Sequence, residues 1–293
     1  MFRYASSSQE DPVSTAMRRN LAAIVICAAA PIFATAQTPS TITVPSRVSW
    51  TRVRSGVDRA EVSLPGNGDA WRIRLILVRV DPSRTRASLI RSTRDDGTLG
   101  AWTVDSLPRG AIVGVNAGQF ASGRPWGWLV RNGIEEQPPG VGPLSLAVVA
   151  LADGRVHLVP YDSITSYRGR VRQAFQSYPT LLESGGLVPT EIRSPQNGVD
   201  IEHRDSRVAL CELPDHRIVI ALTRFEGLGG VLSELPFGPT IPEMSAIMIS
   251  LGCSAAVSLD GGISGQLVIR DGKKIREWRG LRRVPLALVF FPR

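Results

Sequence analysis

Cysteine, lysine and histidine are all scarce in this chain of 293 residues, and each scarcity excludes a class of protein. Three cysteines, Cys27, Cys211 and Cys253, are too few for a disulfide-stapled mini-scaffold, and the length allows a hydrophobic core that needs no such staples. Neither His157 nor His216 has metal-ligand spacing with another histidine or a cysteine, so the pattern predicts no zinc site. No fixed-period repeat is present, which argues against a solenoid or propeller. No apolar run reaches the roughly 20 residues that a membrane span needs, so no span is expected. Lysine occurs only at Lys273 and Lys274, so all but two of the 34 basic residues are arginine and carry the formal net charge of +8. Arginine grips planar oxyanions through paired N–H donors, which makes an anionic ligand the first expectation.

The start of the chain reads as a targeting segment. Arg18 and Arg19 precede a short apolar run from Leu21 to Ala30, and the stretch ends in Ala34-Thr35-Ala36. A charged start, a short apolar run and an A-x-A site form a secretory signal peptide over residues 17–36, cut near Ala36. Residues 1–16 are polar and read as an over-long start, with Met17 the better initiator. Export makes nucleic acid an improbable partner and places Cys211 and Cys253 in an oxidising compartment, either bonded to each other or as two buried thiols.

Residues 37–69 read as a Thr/Ser/Pro-rich linker with first strands, followed by one domain over 70–293. Short β-type runs recur, beginning with the alternating Trp71 to Val80, and Asn132-Gly133 and Asp153-Gly154 are hairpin-type turn pairs. The clearest helical pattern is late. Thr240-Ile241-Pro242-Glu243 has capping-box spacing, and Ile241, Met244, Ile247, Met248 and Leu251 share one helical face. A shorter helix is expected around 230–235. The expected fold class is therefore α+β: a single domain with a large mixed β-sheet and a few helices, the main one near 241–251.

Three segments carry chemistry. Leu259-Asp260-Gly261-Gly262-Ile263-Ser264 holds a carboxylate at the end of an apolar strand, where two glycines allow close backbone approach. Val115-Asn116-Ala117-Gly118 ends another strand in an amide that offers both donor and acceptor. His203-Arg204-Asp205-Ser206-Arg207 gathers cationic groups suited to a phosphate. Trp126 and Trp128, two apart on a strand, would share one face, either stacking on a sugar ring or packing in the core.

In order, these segments resemble the phosphodiester glycosidase domain family. The likeness runs through Asn116-Ala117-Gly118-Gln119-Phe120, Pro125-Trp126-Gly127 and Asn132-Gly133, then Pro179 to Gly185, Arg207-Val208-Ala209, Thr240 to Glu243, and Leu259 to Ser264. It spans about residues 70 to 291. The resemblance implies hydrolysis of a sugar-1-phosphodiester to free sugar and a phosphate monoester, on a small diester or a phosphate-containing polysaccharide. Many family members are exported bacterial proteins linked to exopolysaccharide. On this reading Asp260 activates water or stabilises an oxocarbenium-like centre. Arg207, helped by His203 or Arg204, neutralises the departing phosphate. Asn116, Gly118, Gly261, Gly262, Ser264 and Trp126 position the substrate. Glu243 stands at the family's helix glutamate, although its capping box alone accounts for it. No cofactor is expected, while a hard cation on Asp260 and nearby carbonyls stays compatible with the pattern. A non-catalytic binder of anionic envelope polysaccharide is the alternative function. Ile263 stands where many members have glycine, a position at which a β-branched residue resists a left-handed turn. The sequence carries no signal for an oligomeric state.

Overall fold

In the chain's computed structural model, the residues described are 44, 47–65, 72–91, 102–121, 124–141, 143–193, 200–226 and 235–293. The signal segment 17–36, and all but Leu235 of the short helix expected near 230–235, lie outside them.

Strand pairing organises the chain into three sheets and a small hairpin. A seven-stranded sheet has the order β1 (Thr51–Arg54), β2 (Val57–Pro65), β3 (Arg72–Val80), β15 (Ile218–Glu226), β14 (Val208–Glu212), β16 (Ala255–Leu259) and β13 (Thr180–Leu182). A five-stranded sheet follows the order β11 (Val156–Pro160), β10 (Leu146–Leu151), β12 (Val171–Ser177), β8 (Leu129–Arg131) and β9 (Ile134–Gln137). The other five-stranded sheet runs β18 (Lys274–Trp278), β17 (Leu267–Asp271), β5 (Val113–Asn116), β19 (Leu286–Pro292) and β4 (Thr85–Arg91). The hairpin pairs β6 (Gln119–Ala121) with β7 (Arg124–Trp126).

The expected α+β class with one large mixed sheet is overturned. The structure is mostly β, spread over several sheets, and its strand pairs are antiparallel throughout the described residues. Tight connections explain the difference. Antiparallel partners need only a short turn, whereas parallel neighbours need a crossover of a dozen residues or more. The Asn132-Gly133 turn joins β8 to β9 with both residues at positive φ, as a type I′ hairpin requires.

Continuous apolar strands arise because the seven-stranded sheet is covered on both faces. Along β3, Ile76, Val78 and Val80 join the core shared with the other sheets. Leu75 and Leu77 point the other way, into a second core with Ile241, Met244, Ile247 and Met248 of the helix Ile241–Ser250. That helix starts where its capping box is made. The Thr240 hydroxyl accepts from the Glu243 N–H at 3.3 Å, and Glu243 Oε2 accepts from the Thr240 N–H at 3.0 Å. It ends before Gly252, which sits at φ 77°. The strands that precede residue 70, β1 and β2, are part of the seven-stranded sheet, where β2 pairs with β3. Among the described residues no helix is long and apolar enough to cross a membrane.

Candidate active site

Register brings the chemistry together. Val208 of β14 pairs with Leu259 of β16, so the segment entering β14, His203 to Arg207, lies against the segment leaving β16, Asp260 to Ser264. The contact is close. The Gly262 N–H donates to the Ser206 carbonyl at 2.6 Å, a Cβ on Gly261 would stand 2.4 Å from that same oxygen, and a Cβ on Gly262 would stand 2.6 Å from Asp205 Oδ2. Any side chain at either glycine would push the two loops apart. The left-handed turn falls on Gly262, at φ 56°, so Ile263 is spared it and sits exposed on the short helical turn that follows.

Asp260 is held by its backbone and tuned by its surroundings. Its N–H donates to the Gly118 carbonyl at 3.0 Å, and its carbonyl accepts from Asn116 Nδ2 at 2.7 Å. Burial pushes the Asp260 carboxyl above the ordinary aspartate value, opposed by the Ser264 hydroxyl hydrogen bond and by Arg282, and reinforced by the like charge of Asp205. Asp205 is raised in the same direction, again chiefly by burial, against the pull of Arg207, the Ser206 N–H and His203. The site therefore holds two carboxyls, each inclined to keep a proton longer than a free aspartate does, chiefly because each is buried.

Arg207 supplies the cation beside them. Its Nε donates to the Pro239 carbonyl at 3.0 Å and its Nη2 to the His203 carbonyl, which leaves Nη1 without a protein partner among the described residues. The His203 N–H is itself tied to Asp200 Oδ1 at 2.9 Å, which anchors this loop. Behind the loops, the buried Arg224 guanidinium reaches Ser206 Oγ at 2.7 Å and the carbonyls of Gly265 and Arg279 at 2.5 and 2.9 Å. One buried guanidinium thus fixes the spacing of both site segments.

An aromatic pair approaches Asp260 through Tyr178. Trp126 packs edge-on against Tyr178, with ring centroids 5.4 Å apart. Burial, then the charge of Asp260, raises the Tyr178 phenol above its ordinary value, so this hydroxyl stays protonated near the carboxylate. The expectation that Trp126 and Trp128 share a face is corrected. Gly127 turns the chain at φ 88°, leaving Trp126 partly exposed and sending Trp128 into the core, where its indole N–H donates to Glu135 at 3.0 Å.

Several other residues expected at the site are engaged by the protein's own groups. Asn116 is fully buried, and its amide is engaged by the Asp260 carbonyl at 2.7 Å and by the Gln266 N–H at 3.0 Å, so it holds the Asp260 segment in place. Gly118, at φ 75°, lends its carbonyl to Asp260, and the Gly262 amide is taken by Ser206. Glu243 and Arg204, expected to act in catalysis and phosphate binding, form a two-pronged ion pair with both contacts at 2.7 Å. Glu243 also closes its helix cap, so the pair clamps the His203 loop to the helix N-terminus. Glu243→Ala is accordingly expected to lower stability by about 2 kcal/mol, from the lost cap and the lost two-pronged contact with Arg204. Measured by urea denaturation, that loss should accompany a kcat within a few-fold of wild type. Asp205, Tyr178 and Arg282 were passed over in the sequence. Asp205 stands in plain view between two arginines, whereas nothing in the sequence ties Tyr178 or Arg282 to Asp260.

Comparisons with known proteins bear on the fold and the family. A structure of the zebrafish N-acetylglucosamine-1-phosphodiester alpha-N-acetylglucosaminidase catalytic domain, auto-inhibited by its pro-peptide, superposes with a TM-score of 0.62 at 16% identity, covering 84% of this chain and 88% of that one. A hypothetical protein from Synechocystis superposes with a TM-score of 0.58 at 15% identity, covering 84% and 64%. A protein of Burkholderia pseudomallei assigned as exported gives 0.53 at 16% identity, covering 76% and 74%. At these identities the likeness is one of fold. No curated protein sequence matches. The sequence profile of the phosphodiester glycosidase family, however, matches residues 109–291, a span that holds Asp205, Arg207 and Asp260, and the chain belongs to that family.

Proposed function

We propose that the chain is an exported hydrolase that cleaves the glycosidic bond of a sugar-1-phosphodiester, releasing free sugar and a phosphate monoester. The observation that carries this reading is the buried carboxyl of Asp260, with Asp205 as a like charge near it and the Arg207 guanidinium beside Asp205. A buried carboxylate that accepts a proton from water, next to a cation that meets the departing phosphate, suits attack at an anomeric carbon. Water loses a proton to Asp260 as its oxygen bonds to the anomeric carbon. The bond from that carbon to the phosphate oxygen breaks, and its electron pair leaves with the phosphate. Arg207 Nη1 meets the charge that gathers there. A phosphate monoester is a good leaving group, so stabilising its charge matters more than protonating it. The Cys211–Cys253 disulfide supports export, since such bonds persist in oxidising compartments. Family membership suggests the phosphodiester substrate class.

Cleavage in water enriched in oxygen-18 tests the reading directly. With a panel of hexose- and N-acetylhexosamine-1-phosphodiesters, the label should enter the free sugar at its anomeric oxygen. Label in the phosphate would mean P–O cleavage and a phosphodiesterase. Saturable, salt-sensitive binding with no product would instead favour an envelope-polysaccharide binder. Trp126→Ala should raise KM about fivefold with kcat within a few-fold, because the partly exposed ring offers a face to the sugar worth roughly 1 kcal/mol.

A further inference from the structure

The far end of β14 holds a second cluster of ligating groups, which spacing in the sequence does not announce. β14 runs from Val208, paired with Leu259 beside the candidate active site, to Glu212, paired with Ala255, so Glu212 lies about 13 Å along the strand from the site. There, Glu212 Oε1 stands 3.0 Å from His157 Nδ1 and 2.9 Å from His216 Nδ1. The three residues present ligand atoms that all lie within 4.8 Å of one another. His157 comes from β11 of a different sheet, and His216 from the turn joining β14 to β15.

We propose that His157, Glu212 and His216 form a binding site for a divalent transition metal of the zinc class, which ties β11 to the β14–β15 hairpin. The donor set of two imidazoles and one carboxylate suits zinc, nickel or copper and is poorly matched to calcium or magnesium, which prefer oxygen ligands. Zinc bonds of 2.0–2.2 Å at tetrahedral angles need ligand atoms about 3.3 Å apart, and the observed separations from Oε1 are a few tenths of an ångström short of that. The carboxylate is already aimed. Glu212 Oε2 accepts from the Leu158 N–H at 3.0 Å, and the Glu212 carbonyl accepts from the Ser254 N–H and hydroxyl, both at 2.8 Å. Such outer contacts orient a metal ligand before the metal arrives.

The turn is built to deliver the second imidazole. His216 adopts φ 63°, a left-handed conformation that glycine or asparagine takes more easily, and the bend brings its ring back over Glu212. The two rings meet edge to face with centroids 5.5 Å apart, and the His216 side chain is 65% exposed, which leaves an entry path and room for a water ligand. Asp215 in the same turn is taken by Arg217, with its Oδ2 accepting from Arg217 Nε at 2.6 Å, so it does not compete.

His216→Gly separates metal binding from folding, because glycine accepts this φ and removes the ligand. Zinc and cobalt would be titrated calorimetrically into the chelator-treated, tag-free full chain. Wild type should bind one equivalent of Zn²⁺ saturably, take up Co²⁺ with visible absorption, and gain about 5 °C or more in Tm at a hundredfold excess over Kd. His216→Gly should keep or raise the metal-free Tm, lose at least tenfold in affinity and show no metal-dependent shift. His157→Ala should lose affinity in the same way, while Ca²⁺ should not shift wild type. Equal binding by wild type and His216→Gly, or no saturable binding, would make the cluster a hydrogen-bonded triad and overturn the assignment. Loss of diester hydrolysis on chelation would overturn the structural role given to the metal.

Discussion

Asp260→Asn is expected to lower kcat/KM toward a sugar-1-phosphodiester by about 10³-fold, in the range seen when a positioned proton-transfer group is removed. The same change should make the protein more stable at neutral pH. The folded protein holds the Asp260 proton more tightly than the unfolded chain does, because burial and Asp205 both disfavour the charged form. Below the unfolded value of about 3.8 this asymmetry contributes nothing. As pH rises from there through the raised folded value, stability falls, since the native state must give up a proton it prefers to keep. Asparagine carries no charge, so its stability gain should appear at neutral pH and vanish in acid. Thermal melts at pH 3 and pH 7 would show it. A mutant that loses activity and stability together at neutral pH would mean that Asp260 is a folding residue. Asp205→Asn removes the like charge from Asp260, so the acid limb of the activity profile should move to lower pH. Its rate loss should be smaller if Asp205 acts mainly by tuning its neighbour.

The residues that bear charge and turn signals were legible in the chain, and those that act by arriving from elsewhere were not. Asp260, with two glycines behind it, reads as a strand-end carboxylate held close to another backbone, and the Ser206 carbonyl is that backbone. Thr240 and Glu243 read as a capping box and form one. Partners chosen by the fold could not be read from the chain. The amide of Asn116 looked available until β17 brought Gln266 and β16 brought Asp260 to its two ends. Arg204 looked like a phosphate ligand until the helix presented Glu243. The α+β expectation gave one well-capped helix too much weight. Strand order depends on which hairpins close first and which apolar faces remain to be covered, and the period-2 pattern of each strand contains neither. His157 and His216 show the same limit, since ligand spacing along the chain says nothing about a residue delivered from a neighbouring sheet.

Replacing both Cys211 and Cys253 by serine should lower stability by about 4 kcal/mol, the loop-entropy value for a bond that closes a segment of this length. The bond joins β14 to the residue that follows the helix turn at Gly252, across 42 positions of sequence and a Cα–Cα distance of 5.7 Å. That segment contains the whole of β15 and the helix Ile241–Ser250, so cutting the link frees a large part of the unfolded chain. The serine hydroxyls would also meet an apolar setting, since Cys211 is fully buried among Leu75, Leu77, Val219 and Met244. Guanidinium denaturation of the oxidised wild type and the double variant would give the difference, with single serine variants as controls for a stranded thiol. Activity should respond much less than stability, because the bond is anchored next to Glu212 and Ser254, at the end of β14 remote from Asp260. The same placement separates two effects in the cell. A variant made in a reducing compartment should yield less folded protein, yet the fraction that folds should cleave the diester at close to the wild-type rate. A double variant as stable as wild type would mean that the two strands are already fixed by their ladder.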